Sequence, residues 1–302
     1  MKELPFIQTS VFVDDRYSFS GNQLATFWNQ KANQSLTQEE MLGITREMNF
    51  SESTFLYPSE KENCDVKVRI FTPGGEIPFA GHPTLGTAVV LKETELVPKN
   101  QKKGILELGV GPIEVSYESE NQVGMMQPEP QFKESFDNQK ALAEFLGIPK
   151  KSILADYPFE VVLTGIPFLM IPIDSLKTIK EINLNPQKQV ENLKKLVTQE
   201  VVCFTTETVH EDSSVHVRMF APGIGVFEDP ATGSAAGPLA AYLEKWEILT
   251  GHSKGTDIVI EQGYEIHRPS KLIAQTISPN EKVKNILVSG KVKKTATGTF
   301  HL

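Results

Sequence analysis

The segment VRIFTPGGEIPFAGHPTLGTAVVL, residues 68–91, decides the fold because the chain contains it twice. The second copy is VRMFAPGIGVFEDPATGSAAGPLAAYL, residues 217–243. Five residues of the first copy recur at numbers 149 higher: Val68, Arg69, Phe71, Pro73 and Gly74. A repeat of about half the chain length indicates two similar modules in tandem.

Each copy predicts a strand, a turn rich in Pro and Gly, and the start of an apolar helix. Beyond the turn, the best match is at numbers 147 higher, as if the second copy had lost two residues. This alignment places His82 on Asp229 and Gly86 on Gly233. Scaffold residues therefore repeat, whereas one polar position is His in one copy and Asp in the other. Such a difference is what we expect of a site shared between two halves.

Composition bounds the class of protein. The 302 residues predict two domains, each large enough for its own core. The formal net charge of −8 argues against nucleic-acid binding, which needs a basic patch. The N-terminus lacks the apolar core of a signal peptide, and no apolar run has the length of a membrane span. We therefore expect a cytoplasmic protein.

The best linker is residues 127–131, which contains Pro128 and Pro130. It predicts an N-terminal module of residues 1–127 and a C-terminal module of residues 128–302, with residues 290–302 able to return to the first. Helix, strand, strand, buried helix and closing strands follow in the same order in both halves. This order favours two pseudo-symmetric α+β modules over one long parallel sheet.

The starts of the two apolar helices are candidate binding positions. Helix N-termini offer N–H donors and a partial positive charge, so they attract carboxylates. Gly81, Gly233 and Ser234 lie at these starts, and we expect them to hold an anionic small molecule in a cleft between the modules. The alternative is that Gly81 and Gly233 serve only turns and packing.

His82 is a candidate site residue because it lies between Gly81 and Pro83 at a helix start, matched by Asp229 in the other copy. A single histidine in such a place is otherwise a structural residue. The remaining histidines have no comparable setting: His210, His216, His252, His267 and His301.

Glu52 lies in a segment otherwise made of Ser, Thr, Phe and Leu. On a mostly buried strand, a carboxylate has its charged form disfavoured, which favours general acid/base work. The alternative is an exposed carboxylate without a role in chemistry.

Signals of cofactor and metal chemistry are absent. The sequence has no GxxxxGK[ST] phosphate loop and no complete GxGxxG dinucleotide motif. Cys64 and Cys203 are too few for a disulfide framework or a thiolate zinc site. Ser234, His82 and Asp229 could form a hydrolase triad, but GSAAG at residues 233–237 is not the GxSxG elbow. We therefore predict no cofactor and no metal.

Taken together, these motifs resemble those of the PhzF-like family of phenazine biosynthesis, which has the diaminopimelate-epimerase fold. The resemblance covers nearly the whole chain. The matching motifs are FSGN (19–22), NFSESTF (49–55), RIFTP (69–73), EIPFAGHPTLG (76–86), EDPATGSA (228–235), QG (262–263) and RPS (268–270).

The resemblance implies an architecture and an assembly. Each domain should be a β-barrel-like sheet around its central helix, with the active site in the cleft and the protein a homodimer. In related epimerases two cysteines act as paired acid and base. Neither turn contains a cysteine here, so that mechanism is not expected.

The resemblance also implies roles for individual residues. In that family, the glutamate that matches Glu52 is the proton shuttle. The family residues that match His82, Asp229 and Ser234 bind and orient the substrate. Asn22, in the matching FSGN motif, is assigned to substrate binding together with Gly81 and Gly233.

The resulting hypothesis is a cofactor-independent isomerase that moves a proton on a small carboxylated, amino- or hydroxy-substituted metabolite. A non-catalytic metabolite-binding protein on the same scaffold is the main alternative, and a hydrolase using Ser234 is another. The expected partner is the small-molecule substrate, with neither nucleic acid nor membrane.

Overall fold

The structure, a computed structural model, describes residues 2–119, 121–277 and 283–302. The chain divides into two compact units. Unit 1 comprises Met1–Met126 and Ser289–Leu302, and unit 2 comprises Gln127–Val288. The α+β class predicted from the sequence is confirmed, because each unit combines a sheet with a buried central helix and outer helices.

The first part of the chain forms β1 (Glu3–Val11), β2 (Asn22–Phe27), α1 (Gln30–Asn33), α2 (Gln38–Met48), β3 (Glu52–Tyr57), β4 (Val66–Thr72), β5 (Gly75–Ile77), α3 (Gly81–Glu93), β6 (Lys103–Leu108), β7 (Gly111–Tyr117) and β8 (Gln122–Gln127). The rest forms β9 (Gln131–Ser135), α4 (Gln139–Leu146), β10 (Glu160–Leu163), β11 (Pro167–Pro172), α5 (Leu176–Lys180), α6 (Pro186–Leu193), β12 (Val201–Thr205), β13 (Val215–Ala221), β14 (Val226–Asp229), α7 (Gly233–Lys245), β15 (Asp257–Gln262), β16 (Ser270–Ile277) and β17 (Asn285–His301).

Eight strands of unit 1 close into a barrel. Strand β17 pairs with β1, and the pairing continues through β2, β3, β4, β6, β7 and β8 back to β17. The pairs β2–β3 and β4–β6 are parallel, while β1–β2, β3–β4, β6–β7 and β7–β8 are antiparallel. The barrel-like sheet expected from the resemblance is therefore confirmed.

Helix α3 is the central helix of unit 1. Its residues from Gly81 to Leu91 are all buried, and it contacts β1, β2, β3 and β7. The sequence predicts this burial, because residues 84–91 are apolar nearly all round and offer no polar face for solvent. One of its polar side chains, Thr87, lies in a hydrogen-bonded chain inside the barrel: its Oγ1 lies 3.1 Å from Thr54 Oγ1, which donates to Thr26 Oγ1.

The opposite face of the unit 1 sheet carries an aromatic cluster under α2. The rings of Phe27 and Phe55 stack at 4.8 Å, and Phe71 meets Phe55 edge-on at 5.6 Å. Met41 and Ile44 of α2 are buried against this cluster. Packing on both faces explains why β3 is buried continuously from Ser53 to Leu56 rather than at alternate residues.

Unit 2 repeats the order of strand pairing. The pairs β10–β11 and β12–β13 are antiparallel, β11–β12 and β13–β15 are parallel, and β15–β16 is antiparallel. Helix α7 is buried from Gly233 to Leu243 and contacts β10, β11 and β16. Helices α4, α5 and α6 contribute to a separate apolar cluster with Val201, Cys203 and Phe220.

One ion pair recurs with the repeat. Arg69 on β4 makes two hydrogen bonds with Glu76 on β5, at 2.7 and 2.6 Å, and lies over the ring of Phe71. Arg218 on β13 does the same with Glu228 on β14, at 2.8 and 2.7 Å, and lies over Phe220. Residues 149 apart in the first strands of the two copies therefore also make equivalent contacts in the structure.

The alignment that places the second helix at numbers 147 higher than the first is wrong. Helices α3 and α7 each have 13 residues and begin at Gly81 and Gly233, so each residue of α3 corresponds to the residue numbered 152 higher in α7. The second copy has gained three residues before the helix instead of losing two. His82 therefore corresponds to Ser234, not to Asp229. The error arose because small residues recur along both buried helices, so a shift of five positions still aligns Gly with Gly.

Candidate active site

Glu52 begins β3, where the chain leaves α2. Asn49 ends α2 in the left-handed conformation, with φ of 54°, and the strand starts three residues later. The parallel register pairs Glu52 with Leu24 of β2. The side chain of Glu52 is only 12% exposed. Its position at the strand's first residue leaves it at the end of the barrel where α3 begins.

His82 lies next to Glu52. It is the second residue of α3 and 3% exposed, and its Nε2 lies 3.6 Å from Glu52 Oε2. On the other side of the ring, Nδ1 lies 3.1 Å from Nδ2 of Asn22. A side-chain amide nitrogen only donates, so in this orientation Nδ1 accepts and the ring proton lies on Nε2, facing the carboxylate. Asn22 thus fixes the orientation of His82.

The imidazole of His82 is neutral. Burial lowers the pKa of His82 from 6.5 to about 3, and a contact with the Gln23 backbone opposes only part of that shift. The Glu52–His82 contact is therefore not an ion pair at neutral pH. Within the part of the chain that the structure describes, His82 Nε2 makes no hydrogen bond. Nε2 of His82 is therefore a buried donor that faces the carboxylate of Glu52.

The start of α3 has no side-chain cap. The residue before the helix is Ala80, which cannot accept a hydrogen bond through its side chain. The N–H groups of Gly81 and His82, at the first two helical positions, have no partner within their own helix. Pro83 follows without an N–H. An uncapped start of this kind suits a carboxylate.

In unit 2, Asp229 ends β14 and lies at the start of α7. It is 7% exposed, and Thr232 Oγ1 donates to its Oδ2 at 2.5 Å. Ser234 is the second residue of α7 and 5% exposed. The Thr232 side chain does not cap this helix, so the N–H groups of Gly233 and Ser234 resemble those at the start of α3. Gln127 donates to the carbonyl of Gly233 at 2.8 Å and fixes this first turn.

The residues named from the sequence thus fall into two groups, one in each unit. Glu52, His82 and Asn22 are in contact in unit 1, beside Gly81. In unit 2, Asp229 and the first turn of α7 are joined through Thr232.

A family profile described as phenazine biosynthesis-like protein (PhzC-PhzF) matches residues 10–298. The chain belongs to this family. The trans-2,3-dihydro-3-hydroxyanthranilate isomerase of Pseudomonas aeruginosa is 35% identical over 287 residues, which cover 93% of this chain and 94% of that protein. The resemblance found in the sequence is thereby confirmed.

Solved structures agree with the fold of this PhzF-family chain. A PhzF-family phenazine biosynthesis protein from Bacillus anthracis superposes with a TM-score of 0.88, at 24% identity and covering 100% of both chains. A predicted epimerase from Pseudomonas aeruginosa gives a TM-score of 0.81, at 28% identity and covering 99% of both chains. The diaminopimelate-epimerase-like fold is confirmed, and the PhzF-family chain is an enzyme of the isomerase class.

The two cysteines of this PhzF-family chain lie away from both helix starts. Cys64 is in the loop before β4, and Cys203 is buried in the apolar cluster of unit 2. Burial raises the pKa of the Cys203 thiol, so it stays protonated. Neither position offers a reactive thiolate beside Glu52 or Asp229.

Sequence reasoning missed a buried ionic cluster. His216 Nδ1 lies 2.8 Å from Glu261 Oε1, and its Nε2 lies 3.0 Å from Glu265 Oε1. Its side chain is fully buried. His216 replaces Lys67 of the first copy, at the spacing of 149, and Glu261 holds the loop after β12 through the N–H of Val209. The cluster has a structural role, and an acidic residue on the neighbouring strand is not visible as a partner in the sequence.

Two features are absent from the described ranges 2–119, 121–277 and 283–302. They contain no group of three or more His, Cys, Asp or Glu side chains arranged to hold a metal ion. They also contain no helix that is long and apolar enough to span a membrane.

Proposed function

We propose that this isomerase moves a proton between two carbons of a small carboxylated metabolite, with Glu52 as the acid/base. The observation that supports this proposal is the pair formed by the Glu52 carboxylate and the neutral imidazole of His82, 3.6 Å apart and nearly excluded from water. A carboxylate in such a place can take a proton from one carbon and deliver a proton to another.

The reaction balances without a co-reactant. The Glu52 carboxylate removes a proton from carbon, and the electron pair left behind delocalises over an adjacent double bond. The Glu52 carboxylic acid, whose proton can exchange with solvent while the enzyme holds it, then delivers a proton to another carbon, so the double bond moves and the atoms balance. The N–H of His82 Nε2 would stabilise negative charge that develops on a substrate oxygen, as a buried donor does best in a water-excluded site.

Substrate binding is proposed for the two helix starts and for Asp229. Each start offers two uncapped N–H groups, from Gly81 and His82 or from Gly233 and Ser234. Either pair is a candidate for the substrate carboxylate, and a helix N-terminus favours such a charge by about 0.3–1 kcal/mol. Asp229 is an acceptor and would bind an amino or hydroxyl substituent.

The proposed substrate class is a cyclic amino- and hydroxy-substituted carboxylate. It is taken from the relative named trans-2,3-dihydro-3-hydroxyanthranilate isomerase, whose substrate carries a carboxylate, an amine and a hydroxyl. The carboxylate suits a helix start, and the amine or the hydroxyl suits the acceptor Asp229. A substrate oxygen suits the neutral N–H donor of His82. No cofactor is proposed to take part.

Proton exchange in D₂O tests the proposal. Wild type, Glu52→Gln and Glu47→Gln would be incubated with trans-2,3-dihydro-3-hydroxyanthranilate and with simpler cyclic amino-carboxylates, and followed by NMR. Glu47 lies exposed on α2 and is the matched control for removal of a carboxylate. We expect deuterium at carbon with wild type and Glu47→Gln, and a rate about 10²–10⁴ lower with Glu52→Gln.

Two outcomes would contradict the proposal. If Glu52→Gln keeps most of the activity, Glu52 is not the acid/base. If wild type exchanges nothing across the panel but is stabilised against heat by these carboxylates, the metabolite-binding alternative is favoured.

A hydrolase using Ser234 is disfavoured by its surroundings. A nucleophilic serine needs a base within hydrogen-bond reach. In the described residues the Ser234 hydroxyl makes no hydrogen bond with an imidazole, and Asp229 accepts from Thr232 instead.

Homodimer formation and a cytoplasmic location stay predictions. Sedimentation of the purified protein would test the first, and fractionation of cells would test the second.

A further inference from the structure

A side-chain amide holds the turn between β14 and α7. Gln262, the last residue of β15, donates from Nε2 to the Asp229 carbonyl at 2.7 Å and to Thr232 Oγ1 at 2.9 Å. Its Oε1 accepts from the Thr232 N–H at 3.2 Å. Gln262 is 2% exposed and Thr232 is 7% exposed, so water does not compete for these bonds.

These contacts fix the direction of the hydrogen bonds. The amide has acceptors at its nitrogen and a donor at its oxygen, so it cannot be flipped without losing all three bonds. Because Thr232 Oγ1 accepts from Gln262, its own proton is directed to Asp229 Oδ2, 2.5 Å away. The chain of donation runs from Gln262 through Thr232 to Asp229. An ionised carboxylate accepts such a bond strongly.

The next residue holds the same turn through its backbone. Gly263 has a φ of +81°, and a Cβ there would lie against Arg268 O and 2.5 Å from Pro230 O. The QG motif thus packs directly on the segment that carries Asp229. Neither Gln262 nor Gly263 has a role in the proposed proton transfer.

We propose that Thr232 and Gln262 are positioning residues that hold Asp229 as a hydrogen-bond acceptor for an amino or hydroxyl group of the substrate. The inference rests on the proposed function for the identity of the ligand group. It assigns to unit 2 the arrangement seen in unit 1, where the Asn22 amide orients His82. The two residues act through Asp229 and do not contact the reacting carbons.

Four variants test the assignment with trans-2,3-dihydro-3-hydroxyanthranilate as the probe: Thr232→Val, Thr232→Ser, Gln262→Glu and Asp229→Asn. Removing the Thr232 hydroxyl should raise KM about tenfold with a smaller change in kcat, the effect of one lost hydrogen bond. Thr232→Ser keeps the donor and should stay within about twofold of wild type. Gln262→Glu loses both donated bonds and should resemble Thr232→Val.

A double variant separates positioning from general stability. If Thr232 acts through Asp229, adding Thr232→Val to Asp229→Asn should change KM little further. Additive losses in the double variant, or a loss in Thr232→Ser equal to that in Thr232→Val, would overturn the inference.

Crystal structures of wild type and Thr232→Val give an answer that needs no activity. We expect the Asp229 carboxylate to rotate away from its wild-type position when the hydroxyl is removed. An unmoved carboxylate would overturn the positioning role even if turnover fell. Conversely, a rotated carboxylate in a protein whose wild type turns over nothing would retain the positioning role and reject the proposed reaction.

Discussion

The carboxylate of Glu52 lies 3.6 Å from Nε2 of His82, although the two residues come from different elements of unit 1, the first residue of β3 and the second residue of α3. The ring is neutral because its burial lowers the pKa of His82 to about 3. A neutral donor beside a carboxylate orients a substrate without trapping the carboxylate in an ion pair, as an imidazolium would.

The pH profile should therefore show no titration of His82. Between about pH 5 and 9, His82→Gln should lower kcat/KM but leave the shape of the profile unchanged, because the ring is already neutral in wild type throughout that range. An inflection near the ordinary histidine value of 6.5 in wild type that disappears in His82→Gln would contradict this account.

The variant Asn22→Asp should make His82 titrate in the measurable pH range, unlike wild type. A carboxylate beside Nδ1 stabilises the imidazolium, so it should raise the pKa of His82 and bring an inflection into the measurable range. The pH dependence of kcat/KM, measured beside that of wild type, checks this prediction. An unchanged profile would mean that the Asn22 amide does not control the ring.

A new cap at α3 should separate helix stability from ligand binding. Ala80→Ser adds an acceptor that can reach the N–H of His82, which a substrate carboxylate would otherwise use. A cap of this type stabilises a protein by about 0.5–2 kcal/mol. We expect a higher melting temperature together with a higher KM. A higher melting temperature with an unchanged KM would remove the start of α3 from the binding site.

Much of the fold follows from local signals in the sequence. The capping box of Thr37 and Glu40 begins α2, and Gly147 ends α4 in the left-handed conformation. Pro186 opens α6, and the apolar sequence of α3 predicts its burial. These features depend on residues within a few positions of each other, so the sequence alone carries them.

The candidate site depends on longer-range contacts, which the sequence shows poorly. The Asn22–His82 bond joins residues 60 positions apart, and the contact between Thr232 and Gln262 spans 30. The correspondence of His82 with Ser234 emerged only from the helix starts, because buried helices rich in small residues align almost equally well at several spacings. The sequence identified both Glu52 and His82 as site residues, but it did not predict that they are in contact.

The Gly263 turn gives a stability prediction with an internal control. Gly263→Ala and Gly251→Ala both place a side chain at a left-handed residue, with φ of +81° and +76°, so their backbone strain is similar. Only position 263 adds a clash, with Pro230 O at 2.5 Å, whereas position 251 has no atom within 4 Å. Gly263→Ala should cost about 1–3 kcal/mol more than Gly251→Ala in urea unfolding. Equal losses would show that the QG turn does not press on the Asp229 segment.

We expect the His216 cluster to make the stability of unit 2 depend on pH. Burial alone would lower the pKa of His216, but its bonds to Glu261 and Glu265 raise it above 6.5. Burial likewise tends to raise the pKa of each carboxyl, yet the bonds to His216 hold both below 4.5. Arg218 Nε adds a contact of 4.0 Å with Glu265, and the ring of Tyr264 lies 5.5 Å from that of His216.

The direction in which stability changes with pH follows from these pKa shifts. The stabilisation from His216 is complete below its unfolded value of 6.5 and is lost as pH rises through the higher folded value. That from the two glutamates is complete above 4.5 and is lost as pH falls through their lower folded values. Between 4.5 and 6.5 all three contributions are therefore present.

His216→Gln, which is neutral at every pH, should consequently destabilise the protein more at about pH 6 than at about pH 9. At the lower pH the loss should be about 3–5 kcal/mol, because two carboxylates lose the cation between them while buried. Thermal unfolding at both pH values measures the difference, and His301→Gln, at an exposed histidine, is the control for a changed histidine count. Equal losses at the two pH values would mean that His216 is neutral in the folded protein and that the cluster is held by neutral hydrogen bonds alone.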